Sequence, residues 1–170
     1  MDVRDVMAEA FGRIAPIVRR AVDGLDAEGL AFRPDPDANS IAWLVWHLTR
    51  IQDHHVSEIA GREQAWTTDG WAPGLGLPAN ADDTGYGHTS AQVAAVRPAG
   101  PDELIGYHEA VAARTAEYID TLDADELDRI IDRSYDPPVS VGVRLVSVLG
   151  DNLQHAGQAG YLRGLVERRD

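Results

Sequence analysis

The chain has 170 residues, 44% hydrophobic and 25% charged, with 28 Asp and Glu against 15 Lys and Arg and a formal net charge of −13. That length fits one domain around one core, and the lack of cysteine excludes disulfides, thiolate metal ligands and a cysteine nucleophile. Every base is arginine and none forms a basic stripe, so a phosphate backbone would be repelled and no nucleic-acid partner is expected.

The opening "MDVRDVMAEAFGRIAPIVRR" carries an acid at position 2 and no long apolar run. Neither a signal peptide nor a membrane span is expected there, and a soluble cytoplasmic protein is the default. Residues 2–23 read as a first helix, with Val3, Val6, Met7, Ala10, Ile14, Ile17, Val18 and Val22 at three–four spacing and Pro16 predicting a kink or break. After a glycine- and proline-bearing segment, Ser40 suits an N-cap and a second helix is predicted over 41–60, closed by Gly61.

Residues 61–101 look irregular, with a helical turn at "SAQVAAV". So long a connection is usually functional, and Trp66 and Trp71 argue that it folds over something. A third helix is predicted over 101–122, starting at Pro101, then a short one at "ADELDRIID". The break "SYDPPVS" precedes a fourth helix over 141–167 capped by Ser140. No strand pattern is visible, and the expectation is one all-α domain over 1–170. It is a four-helix bundle with a long irregular connection between helices two and three.

At about 100° per residue, Val141, Leu145, Val148, Asn152, Ala159, Leu162 and Val166 fall within roughly 80° of His155, with Asp151 about 40° away. An acid and an imidazole thus lie inside the apolar stripe of the fourth helix. Burying an ionised Asp is costly unless it is paired or binds a metal, so an Asp–His hydrogen bond and a metal site are the two readings.

His47 stands at the edge of the Leu44, Leu48, Ile51, Ile59 stripe of the second helix. With Asp151 and His155 it makes a three-ligand set of nitrogen and oxygen donors, the composition of an open divalent-metal site. His54 lies two turns along, too far to share an ion with His47 but near enough to line one pocket. His55 points nearer the middle of the stripe, where a satisfied core histidine is the alternative. His108 is a reserve ligand or a structural residue, and His88 is an exposed loop histidine or a lid residue. Trp43 and Trp46 read as packing residues, and Arg144 could bind an anionic group at the pocket mouth.

The stretches "NSIAWLVWHLTRIQDHH", "GYGHTSAQVAAVR", "YHEAVAARTAEYI" and "LGDNLQHAGQAGYLRGL" together resemble the DinB-like superfamily, in particular its actinobacterial branch of thiol transferases. The resemblance runs over nearly the whole chain and implies a four-helix bundle, often a homodimer. It implies a divalent metal, zinc or nickel, held by His47 and the pair Asp151 and His155. Many members carry His–x–x–x–His in the last helix, and the mycothiol-dependent maleylpyruvate isomerase branch carries Glu–x–x–x–His; Asp151 keeps an oxygen donor but shortens its reach by one methylene.

The implied activity is S-transfer, in which a low-molecular-weight thiol cosubstrate, mycothiol-like, attacks a small electrophile in detoxification or small-molecule metabolism. A bound divalent ion lowers a thiol's pKa, which makes that chemistry sensible near neutral pH. In that reading His54 or His55 shuttles a proton or orients the thiol, and Arg144 holds part of the cosubstrate. A hydrolase with the same ligands, and a non-catalytic stress or binding protein, are the alternatives. DNA repair, which the superfamily name suggests, has no electrostatic support.

Overall fold

The computed structural model describes residues 1–169. Four long helical segments form the bundle: the pair α1 (Val3–Gly12) and α2 (Ile14–Val22), then α4 (Ile41–Ala60), α7 (Asp102–Ile119) and α9 (Val141–Val166). Shorter elements join them: α3 (Ala27–Leu30), α5 (Ala65–Thr68), α6 (Ser90–Ala95), α8 (Ala124–Asp128) and two short strands, β1 (Ile130–Asp132) and β2 (Val139–Ser140). Among the described residues no helix is long and apolar enough to cross a membrane.

Helix ends follow the local chemistry. Asp2 caps α1 in a reciprocal capping box with Asp5. Ser40 accepts the Trp43 N–H at the start of α4, and Gly61, with φ of 65°, ends it in the left-handed region. The predicted first helix divides at Arg13, because Pro16 has no N–H for the Gly12 carbonyl and its ring crowds that turn.

Two expectations are corrected. The helix expected through "ADELDRIID" stops at Asp128, and Ile130–Asp132 pairs antiparallel with Val139–Ser140 where no strand was expected. The β-branched Ile130 and Ile131 favour extended backbone, and Asp132 accepts both the Ser134 N–H at 2.8 Å and its hydroxyl at 2.7 Å, which starts the reversal.

Side-chain pairs fix the helix directions. His47 meets His155 and His55 meets Arg144, so α4 and α9 are antiparallel. Thr49 meets His108 and Gln52 meets Thr115, so α4 and α7 run parallel. Arg19 pairs with Glu109 while Phe11 lines a small cavity with Ala116 and Ile119, so the first segment opposes α7. The bundle is therefore up-down-down-up. Since α4 is about 30 Å long, parallel α4 and α7 need a connection that climbs the full height, and 61–101 is that connection.

A buried pair on α4 ties it down. Arg50, 0% exposed, donates to the carbonyls of Ala81 (2.8 Å) and Asp83 (3.0 Å), to Gln64 Oε1 (2.8 Å) and to Tyr107 Oη (3.1 Å). Asp53, 2% exposed, accepts the N–H groups of Ala65 (2.9 Å) and Trp66 (2.8 Å) and the Tyr107 hydroxyl (2.8 Å), and lies 3.5 Å from Arg50. Backbone of the connection is thus satisfied by charged side chains of the bundle, and Trp66 packs over Arg50 with 5.1 Å between guanidinium carbon and ring centroid.

A polar ladder also crosses the core. Asn152 Nδ2 donates to Gln52 Oε1 (2.5 Å), and Gln52 Nε2 donates to Thr115 Oγ1 (2.7 Å). His108 is buried nearby. Thr49 gives its hydroxyl proton to the Val45 carbonyl at 2.7 Å, so at 3.3 Å the His108 Nδ1–H donates to Thr49 Oγ1 and Nε2 is left without a partner. Burial pushes the His108 pKa down to about 4.

Removing one member of the buried pair, by Asp53→Ala or Arg50→Met, leaves the other charge uncompensated. Each is expected to lose about 3–5 kcal/mol in urea unfolding and to make residues 61–101 protease-sensitive; a loss below about 1 kcal/mol would refute the anchoring role. His108 is neutral when folded and takes up a proton when unfolded, so its contribution is present above pH 6.5 and is lost as the pH falls toward 4. His108→Gln is expected to flatten stability against pH in that window, by on the order of 3 kcal/mol between its ends; an unchanged slope would contradict it.

Candidate metal centre

His47 sits mid-way along α4, and Asp151 and His155 one turn apart on α9 face it across the antiparallel seam. One ligand atom from each of the three lies within 4.8 Å of the others. His155 Nε2 is 3.5 Å from Asp151 Oδ1, and the two imidazoles meet edge to face with centroids 4.8 Å apart.

Both imidazoles are held from behind. His47 Nδ1 lies 2.5 Å from the Thr84 carbonyl oxygen and His155 Nδ1 lies 2.9 Å from Gln158 Oε1. Oxygens there only accept, so both Nδ1 atoms carry the proton and both Nε2 atoms present a lone pair to the gap. Metal-ligating histidines are typically supported in this way. Asp151 Oδ2 is buried without any hydrogen-bond partner. Two imidazole nitrogens and an unsatisfied carboxylate oxygen suit a divalent cation with open positions.

Burial lowers the His47 pKa, against the opposing pull of its bond to Thr84, so it stands as a neutral imidazole. The Asp151 carboxylate, which would accept from the protonated ring, raises that of His155, more than burial lowers it. Trp43 stacks on His47 at 4.6 Å and 12°, fixing the ring plane.

The long connection forms the outer wall. Gly85 has φ of 90°, and a Cβ there would come within 2.8 Å of the Trp46 ring and 2.9 Å of His47 Nδ1, so only glycine lets the backbone lie against the ligand. Asp83 holds this turn by accepting the Gly85 N–H at 3.0 Å and the His88 Nε2–H at 2.8 Å, while His88 Nδ1 accepts the Trp43 Nε1–H at 3.1 Å. His88 is therefore not an exposed loop residue as expected: its side chain is 8% exposed, stacked on Trp46, because both ring nitrogens find partners inside.

His54, His55 and Arg144 lie elsewhere on the same seam. His55 is eight residues from His47, about 12 Å along the axis. Its Nδ1 accepts from Arg144 at 2.7 Å, and Arg144 also lies 3.4 Å from Glu58 and 3.9 Å from Asp132. Burial, then the Arg144 charge, pushes the His55 pKa down to about 4. His54 Nδ1 is 3.1 Å from Gln64 Nε2 and 3.4 Å from the Ala81 carbonyl. His54, His55 and Glu58 also cluster within 4.8 Å, but the His55 lone pair is taken by a guanidinium whose charge opposes a cation. Arg144 thus joins an ion-pair network with His55 instead of facing Asp151 and His155.

Thr84, Gly85, Asp83 and Gln158 carry the support, and sequence reasoning did not single them out. Gln158, three residues after His155, was within reach of helical spacing; the glycines at 85 and 87 in "DTGYGHTS" mark the turn but not its position.

The family model described as mycothiol S-transferase matches residues 7–168. A crystal structure described as the conserved protein of locus from Enterococcus faecalis matches with a TM-score of 0.89 and 31% identity, covering 98% of each chain. None of the curated proteins matches. The family match takes in α2, α4, α7, α9 and the greater part of α1, the 61–101 connection and the trio His47, Asp151 and His155, and this chain belongs to the mycothiol S-transferase family.

Proposed function

We propose that the protein is a divalent-metal-dependent S-transferase that joins a low-molecular-weight thiol of the mycothiol kind to a small electrophile. The observation that carries this reading is the buried, partnerless Asp151 Oδ2 beside two imidazoles whose protons are fixed on the far nitrogen. A hydrogen-bonded Asp–His pair alone would leave that oxygen unsatisfied at a cost of about 1–3 kcal/mol. Zinc or nickel fits the donors, and the family supports thiol chemistry.

When bound, a divalent ion supplies Lewis acidity that makes thiolate available near pH 7. His47 and His155 would hold it through their Nε2 lone pairs, and Asp151 would bring a negative charge that offsets part of its own. Trp43 and the Gly85 turn keep water from the far side of His47. The thiolate sulfur would then form a bond to the electrophilic carbon as that carbon's bond to its leaving group breaks, the leaving group departing with the bonding electron pair and the thiol proton passing to solvent. His54 and His55 lie too far along α4 for direct proton transfer at this centre, and Arg144 is engaged with His55 there.

The test is elemental analysis of the purified protein beside His155→Ala and Asp151→Ala, followed by turnover of an electrophile with and without thiol. Near-stoichiometric metal lost in both variants, with turnover only when thiol is added, is the expected result. Turnover without thiol would instead identify a hydrolase, and no metal after zinc or nickel is supplied would leave a non-catalytic protein. Gly85→Ala is expected to weaken metal affinity by about 10–100-fold, as loss of ligand support does, while leaving the helical circular dichroism unchanged; unaltered affinity would show that the connection does not hold His47.

A further inference from the structure

A relay of three side chains runs from the long connection to the ligand trio. His88 Nε2 lies 2.8 Å from the Asp83 carboxylate, and His88 Nδ1 lies 3.1 Å from the Trp43 indole nitrogen. An indole N–H can only donate, so His88 Nδ1 accepts and the ring proton sits on Nε2, where Asp83 takes it. One tautomer thus satisfies both neighbours, and Trp46 stacks on the ring at 5.5 Å and 21°.

Trp43, 6% exposed, touches both imidazoles of the trio. It stacks on His47 with centroids 4.6 Å apart and 12° between planes, and it meets His155 edge to face at 6.2 Å and 87°. Stacking tolerates the sliding of one ring over another, whereas a hydrogen bond weakens steeply off its axis. The directional tie on the indole is its N–H bond to His88.

The turn itself does not need the His88 ring. Its backbone is already held: the Gly85 N–H donates to the Asp83 carboxylate at 3.0 Å, the His88 N–H donates to the Gly85 carbonyl at 3.1 Å, and Arg50 holds the Asp83 carbonyl at 3.0 Å. A ring with one nitrogen on Asp83 and the other on Trp43 is explained by what it does to the indole.

We propose that His88 is a positioning residue: held by Asp83, it orients Trp43, and Trp43 in turn sets the planes in which His47 and His155 offer their Nε2 lone pairs. This role rests on the reading of those two histidines as metal ligands, and it adds a residue of the connection that makes no hydrogen bond to either.

Two amide substitutions separate the halves of the relay. His88→Asn places a carbonyl oxygen near the position of Nδ1 and keeps an acceptor for Trp43, whereas His88→Gln places an amide N–H near the position of Nε2 and keeps a donor for Asp83. The full-length protein is followed by NMR without metal, on the imidazole signals of His47 and His155 and the Trp43 indole N–H. Zinc affinity is then measured by competition with a chelator. His88→Asn is expected to keep the wild-type ring signals and affinity. His88→Gln is expected to lose the ring-current shift of His47, to move the Trp43 N–H signal and to bind zinc about 10-fold more weakly, with unchanged helical circular dichroism. Trp43→Phe, which keeps a ring over His47 but removes the N–H, is expected to reproduce those losses.

The reverse order, with Gln rescuing and Asn failing, would mean that the ring only closes the turn, and it overturns the assignment. Equal losses in both amide variants, or wild-type behaviour in His88→Gln or Trp43→Phe, overturn it as well. The ring signals are read without metal, so the two readings fail separately. The expected pattern of ring signals in a protein that takes up no zinc keeps the positioning role and sinks the S-transferase reading, whereas zinc uptake with thiol-dependent turnover but no such pattern sinks the positioning role alone.

Discussion

The buried pair of Arg50 and Asp53 is what the rest of the structure hangs from. The bundle places α4 and α7 parallel, so the chain must climb back along the outside before the third long segment begins, and its peptide groups need partners on the way. Arg50 and Asp53 meet that need from inside the core: one takes carbonyls near residues 81 and 83, the other takes N–H groups at 65 and 66. Each charge is stabilised by the other and by Tyr107 between them, which makes two ions tolerable at nearly complete burial. Two residues beyond Asp83 the turn at Gly85 meets His47, so the pair that anchors the connection also sets where the ligand's back side is held.

The same economy governs α9. Its rotation about its own axis is set by Asn152, which reaches across to Gln52 and through it to Thr115 on α7. An apolar seam alone lets a helix slip or turn by small amounts, whereas a chain of buried amides has one arrangement that satisfies it. Because Asp151 directly precedes Asn152, that ladder also aims the carboxylate. The trio is therefore placed by two polar frameworks that meet on α4, and neither uses the ligand side chains themselves.

Much of this was legible from periodicity. The limits of α4 follow from Ser40 and Gly61, and the positions of His47, Asp151 and His155 within apolar stripes follow from helical spacing, since burial there is a local property of one amphipathic face. The two short strands were not legible, because three residues against two establish no period and their pairing depends on a turn. Nor was the burial of His88, whose partners Trp43 and Asp83 are separated by 40 residues of chain. Arg144 shows the same limit: its spacing on α9 told which side it faced, but its partners His55, Glu58 and Asp132 come from α4 and the strand region. Helical spacing says which way a residue points and leaves open what meets it there.

The inward placement of the histidines has a bearing on chemical self-protection. None of the six is classed as exposed, and the chain has neither cysteine nor lysine. The side chains that diffusible alkylating agents attack most readily in proteins are thus absent or sheltered. Met7 is buried as well, while the Met1 thioether is exposed.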